Sequence, residues 1–121
     1  MARCGDRVVA LTRPDVRKKV QECLTFFDGT RLHLHAAVIM PTHAHCLLEP
    51  LEGFRLSELL HTIKLRSAQQ ANKILGRKGT FWQDESYDHI VRSEAQYTYY
   101  VRYVAENPTK ARLKEGMYWL M

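Results

Sequence analysis

In LTRPDVRKKVQECLTFFDG the apolar residues Val16, Val20, Cys23, Leu24 and Phe27 recur every three or four positions. That interval gives a helix one apolar face. Thr12 can cap this helix, Pro14 suits its first turn and Gly29 stops it. Arg13, Arg17, Lys18 and Lys19 lie off the apolar face, as a solvated surface would. From Arg31 the period changes. RLHLHAAVIM is rich in small and β-branched residues, and HAHCLLEP follows after Met40-Pro41-Thr42. The pattern predicts two antiparallel strands joined by a tight turn. In the second of them His43, His45 and Leu47 point one way, and Ala44, Cys46 and Leu48 the other.

The longest helical pattern runs from 57 to 75, SELLHTIKLRSAQQANKIL. Ser57 stands in the capping position, and Leu59, Leu60, Ile63, Leu65, Ala68, Ala71, Ile74 and Leu75 supply a broad apolar face before Gly76. A third strand is predicted over roughly Tyr87 to Arg92, after an FWQ turn. The last helix opens at Ser93 with Gln96 three residues on, a capping box. Pro108 predicts that it stops near Asn107, because the residue before proline avoids helical backbone.

Composition narrows the class. A length of 121 residues suits one domain, residues 1–121, and 45% apolar content is enough for a single modest core. Eighteen basic against 13 acidic residues give a net charge of +5 and a pI near 9.3, a balance that favours polyanionic partners such as nucleic acid. Cys4, Cys23 and Cys46 are odd in number and form no CxxC pair, so reduced thiols are expected and a disulfide framework is not. No apolar run reaches the ~18 residues needed to span a bilayer, and MARCGDRVVAL has no signal-peptide core. The expectation is a soluble, cytoplasmic protein with no membrane partner.

The candidate chemistry begins with His43-Ala44-His45. Two histidines two apart on a strand share a face, about 6–7 Å apart at Cα, and can bracket one ion. A hydrogen-bonded edge histidine beside a solvent-exposed one fits the same pattern. His33 and His35 repeat the spacing on the preceding strand, so spacing alone does not choose between the pairs. In the last helix Tyr97, Tyr100, Val101 and Val104 are expected to pack into the core. Tyr103 and Asn107 stand one turn apart on the flank of that stripe.

MPTHAHCLLEP resembles the MPNHxHxL segment of HUH single-strand nucleases. YVAENPTKARL resembles the YxxxNPxKAxL tail of one subgroup, the REP-associated tyrosine transposases within the IS200-like family. FDGTRLHLHAAVIM, ELLHTIKLRSAQQANKILG, FWQDESYDHIVR and the capped final helix follow that family's order, so the resemblance covers about residues 8 to 113. It implies an α+β, ferredoxin-like fold of the HUH nuclease type, an antiparallel sheet with helices on one face. It matches His43 and His45 to paired metal ligands, Asn107 to the third, and Tyr103 to a nucleophile that forms a 5′-phosphotyrosine and leaves a 3′-OH. His33 and His35 match structural positions. The implied cofactor is Mg²⁺ or Mn²⁺, and the implied partner is single-stranded or hairpin DNA. Lys64, Arg66, Lys73, Arg77 and Lys78 are then candidates for backbone contacts, with Trp82 and Phe81 candidates for base stacking. Tyr99, one turn before Tyr103, is placed to line the same cleft. Cys46 should point to the opposite face and is set aside as a ligand.

The resemblance departs at the start. The family opens with a strand ahead of the region matching RVVALTRPDV, and MARCGDRVVAL has little room for it. Asp6 to Leu11 is the available substitute; otherwise the N-terminal strand is missing and the sheet has an exposed edge that a second copy can complete as a homodimer. Two functions follow: a metal-dependent nicking and joining enzyme, or a non-catalytic hairpin DNA or RNA binder, a truncated transposase remnant.

Overall fold

The computed structural model describes residues 2–4, 11, 13–86 and 90–121. Among the described residues there are five strands and three helices, in the order β1 Ala2–Cys4, α1 Pro14–Thr25, β2 Leu32–Ile39, β3 His43–Pro50, α2 Leu56–Leu75, β4 Trp82–Ser86, α3 Glu94–Lys110 and β5 Trp119–Leu120. The strands form one antiparallel sheet in the order β4-β1-β3-β2-β5. The β2–β3 hairpin is its backbone, closed at the predicted turn by Met40 N–H donating to His43 O at 2.8 Å.

Alternation along the hairpin divides the molecule into layers. Leu32, Leu34, Ala37 and Ile39, with Ala44, Cys46 and Leu48, pack against Val16, Val20, Leu24 and Phe27 of the α1 segment and Leu59, Ile63 and Ala71 of α2. Ala36, Val38 and Met40, with Leu47, pack against Val104 of α3 and against Leu113 and Tyr118. The expected arrangement of helices on one face therefore holds for α1 and α2 only. Helix α3 covers the other face, because β2 and β3 are apolar on both sides and each face needs a cover.

A register shift between Leu34 and Ala36 lets the switch of face occur without losing either layer. His35 is the extra residue of a β-bulge, so His35 and Ala36 both face α3, whereas a regular strand would have alternated them.

The strand ahead of α1 lies between β3 and β4 in the sheet. Ahead of α1 the described residues supply only the three-residue β1, which pairs with His43 and Ala44. Leu47–Glu49 have no described strand on that side. The substitute segment Asp6–Ala10 and the Thr12 cap lie outside the described residues. Helix α1 starts after Arg13 with Pro14 in its first turn, and Leu11, fully buried, donates its N–H to Pro41 O.

Four local expectations are corrected. Arg17 is buried, its guanidinium donating to Leu11 O at 3.2 Å and Gly116 O at 2.8 Å, which ties the C-terminal segment to α1. The N-cap of α2 is Arg55, leaving Ser57 inside the helix; Gly76 ends it as expected, in the left-handed conformation at φ 66°. The strand placed at Tyr87–Arg92 falls earlier, at Trp82–Ser86; Tyr87–His89 lie outside the described residues and Ile90–Arg92 form no strand. The aromatic pair read as a turn leads directly into that strand, where large side chains pack well. Finally, α3 runs through Pro108 to Lys110. Pro108 is fully buried, and its packing offsets the missing hydrogen bond so near the helix end. Ser93 caps α3 as expected, its Oγ accepting from Gln96 N–H at 3.1 Å, while Gln96 Oε1 reaches one residue before the cap and accepts from Arg92 N–H at 2.7 Å.

Candidate active site

On the α3 face of β3 the side chains of His43 and His45 stand together, ring centroids 4.6 Å apart and nearly perpendicular. His45 is 5% exposed, and its ring meets the ring of Tyr103 edge to face at 5.7 Å. Strand alternation puts both histidines on this face, and the anchoring of Val104 against Val38 and Met40 brings the neighbouring Tyr103 down to meet them. His43 Nδ1 contacts Thr42 Oγ1 at 3.0 Å, the type of outer contact that orients a ligating imidazole through its other nitrogen.

One turn after Tyr103, Asn107 donates its amide N–H to Tyr103 O at 2.9 Å. That bond fixes the amide with its oxygen as the remaining polar arm. Lys110, two turns after Tyr103, holds its Nζ 5.8 Å from the Tyr103 ring centroid, and Tyr99 stacks on Tyr103 at 6.3 Å and 22°. Lys110 was missed in the sequence, although its seven-residue spacing from Tyr103 on a helix was there to read.

Tyr103 and His45 form one wall of a cleft of about 540 Å³ between α3, β3 and the start of α2. Leu47, Leu48, Leu56, Leu60, Ile90 and Val91 make much of its lining apolar. Neither His43, Asn107 nor Tyr99 lines it. The first turns of α3 bury little: Tyr97 is exposed and Tyr100 and Val101 are half-buried, so only Val104 of the expected apolar stripe is buried.

Among the described residues no three His, Cys, Asp or Glu side chains converge as a metal cage. A divalent ion here would take one nitrogen from each of His43 and His45 and the Asn107 oxygen as third donor. Two imidazoles and an amide oxygen fit such an ion chemically, and their neutrality leaves its charge for a bound anion.

The expected DNA-contact residues are not gathered at this site. Lys64, Arg66, Lys73, Arg77 and Lys78 belong to α2 and its exit, in the layer on the other face of the sheet. The Arg66 guanidinium lies 5.5 Å over Phe26, and that of Arg77 lies 5.7 Å over Phe81. Trp82 and Phe81 are corrected from base-stacking candidates to core residues. Both are buried, and Trp82 Nε1–H donates to the fully buried Ser67 Oγ at 2.8 Å, so the indole seals α2 against the sheet. The exposed basic residues near Tyr103 in the chain are instead Arg102, Lys110, Arg112 and Lys114. No described helix is long and apolar enough to cross a membrane.

Two comparisons with known proteins find a likeness. The family described as "Transposase IS200 like" matches residues 1–107. A solved structure of a REP-associated tyrosine transposase bound to a REP hairpin superposes with a TM-score of 0.68 at 24% identity, covering 91% of this chain. This chain spans 64% of that one, and the likeness establishes the fold. No curated protein matches the chain.

Proposed function

The chain belongs to the IS200-like transposase family, and from that premise we propose that it nicks and rejoins single-stranded or hairpin DNA through Tyr103. The observation that carries this reading is the chain of ring contacts from His43 to His45 to Tyr103, 4.6 and 5.7 Å between centroids, at the wall of an open cleft.

In the proposed reaction the Tyr103 hydroxyl attacks a backbone phosphorus. An Oη–P bond forms and the P–O3′ bond breaks, giving a 5′-phosphotyrosine and a 3′-OH; the phenol loses a proton and the 3′ oxygen gains one. The energy of the phosphodiester is kept in the covalent link, so the reverse attack by a 3′-OH rejoins DNA without a nucleotide cofactor. His43, His45 and Asn107 would hold Mg²⁺ or Mn²⁺, which when bound supplies Lewis-acid stabilisation of the charge developing on the phosphate. Lys110 contributes fixed positive charge beside the phenol ring, and its pairing with Glu106 at 3.8 Å steers it along the helix. Arg102, Arg112 and Lys114 are the backbone-phosphate contacts of this reading. A hairpin is the ligand to try first because the solved relative is bound to one.

The test is a denaturing gel of the protein incubated with hairpin-bearing single-stranded oligonucleotides and Mn²⁺. The expected product is a covalent band one oligonucleotide larger than the protein, absent with EDTA and absent for Tyr103→Phe. A band of full strength from Tyr103→Phe overturns the assignment.

One observation favours a second reading, a hairpin DNA or RNA binder without catalysis: His43 and Asn107 do not line the cleft that Tyr103 and His45 share. Hairpin binding without any covalent band supports that reading. Sedimentation distinguishes monomer from homodimer.

A further inference from the structure

We propose that His35 is a positioning residue, which through the Tyr97 hydroxyl holds the first turns of α3 over the sheet and so fixes the approach of Tyr103 to His45. The proposal rests on Tyr103 as the nucleophile.

Its basis is a three-residue cluster at the far end of the same cleft. His35 Nε2 lies 3.2 Å from Glu49 Oε1, and His35 Nδ1 lies 3.1 Å from the Tyr97 hydroxyl. The rings of His35 and Tyr97 meet edge to face at 5.2 Å, and His33 adds its ring at 4.3 Å from His35. All three cluster residues line the cleft together with His45 and Tyr103.

The partners fix the proton arrangement. A carboxylate only accepts, so His35 Nε2–H donates to Glu49, and the neutral imidazole then accepts the Tyr97 O–H at Nδ1. The charged imidazole donates at both nitrogens, and the rotatable Tyr97 hydroxyl accepts as readily as it donates. The link survives either charge of the histidine, so it is a fixed tie with no switching function.

The second element is the bulge. His35 is the extra residue between Leu34 and Ala36, which aims it at α3 while Leu34 keeps its place in the opposite layer. Bulges commonly re-aim a side chain in this way. The third element is the helix itself. Residues 94–99 of α3 are all exposed, whereas Val104 and Pro108 are buried. Apolar packing anchors the helix below Tyr103, and above it Tyr97 ties the first turns to His35. Tyr97 lies six residues before Tyr103, about 9 Å along the axis. A helix fixed at one end only can swing, and small misplacement of a nucleophile is costly in rate.

The experiment compares His35→Ala, Tyr97→Phe and His35→Gln with the unchanged protein. Glutamine can donate to Glu49 and accept from Tyr97, so it keeps both contacts. Amide hydrogen exchange of the free protein is read first. The expected result is exchange about five- to tenfold faster within residues 94–103 for Ala and Phe, unchanged elsewhere, and restored by Gln. Unchanged exchange in that segment overturns the tie, whatever the DNA chemistry. The rate of covalent adduct formation at saturating hairpin is read second. It should fall about tenfold for Ala and Phe, with hairpin affinity held within about twofold and with recovery in Gln. Faster exchange with an unchanged adduct rate overturns the positioning role. Absence of adduct from the unchanged protein is a failure of Tyr103 as nucleophile, and the exchange result still judges the tie.

Discussion

His33 and His35 on β2 and His43 and His45 on β3 share one spacing, one sheet face and neighbouring strands, yet their surroundings differ. The β3 pair faces the anchored part of α3, where Val104 is packed down and Tyr103 comes into ring contact. The β2 pair lies toward the free end of the helix, where a carboxylate and a tyrosine hydroxyl engage one histidine and the other is exposed. With a carboxylate at one ring nitrogen and a hydroxyl at the other, His35 has both nitrogens engaged. The lesson is that His-x-His defines a geometry, and the element packed above it defines the chemistry.

Replacing both histidines of each pair by alanine tests this most directly. His43→Ala with His45→Ala should reduce Mn²⁺-dependent adduct formation by about 100-fold or more, the scale of removing electrostatic stabilisation from a reacting phosphate. His33→Ala with His35→Ala should cost about tenfold and leave the Mn²⁺ concentration for half-maximal rate unchanged. Equal losses, or a shifted Mn²⁺ dependence in the β2 pair, would break the contrast.

Val104→Ala probes the anchor that separates the two environments. Removing two buried methyl groups should destabilise the fold by about 1–3 kcal/mol in urea unfolding and slow the adduct more than it weakens hairpin binding. Deleting His35 sharpens the role of the bulge. Without it Leu34 and Ala36 become consecutive residues on opposite faces, so the chain should fold with both layers intact while the α3 tie is lost. Circular dichroism of an unfolded chain would contradict this.

Trp82→Phe is a control remote from both pairs. It removes the bond to Ser67 and should cost about 1 kcal/mol of stability with hairpin affinity unchanged. The smallest effect is expected at Asp15, whose carboxyl is held below the usual range chiefly by the Arg13 guanidinium. A lowered folded-state pKa adds stability above the unfolded value and loses it as pH falls through the folded one. Asp15→Asn should therefore lower the melting temperature slightly at pH 7, by an amount that shrinks as the pH falls through the acid range.

The sequence by itself determined α1, α2, the start of α3 and the β2–β3 hairpin. Period-3.6 runs placed α1 and α2, Ser93 and Gln96 placed the start of α3, and alternation in HAHCLLEP put His43 and His45 on one face. Local spacing is enough there, because side-chain direction follows from backbone geometry within one element. The Tyr103–Asn107 turn was legible for the same reason. Tertiary structure alone decided which sheet face each helix covers, that α2's basic side lies away from Tyr103, that Trp82 and Arg17 are internal, and that His35 is bonded to Tyr97. These depend on contacts between segments far apart in the chain and on one extra residue in β2, whose shift of face has no local signature in RLHLHAAVIM.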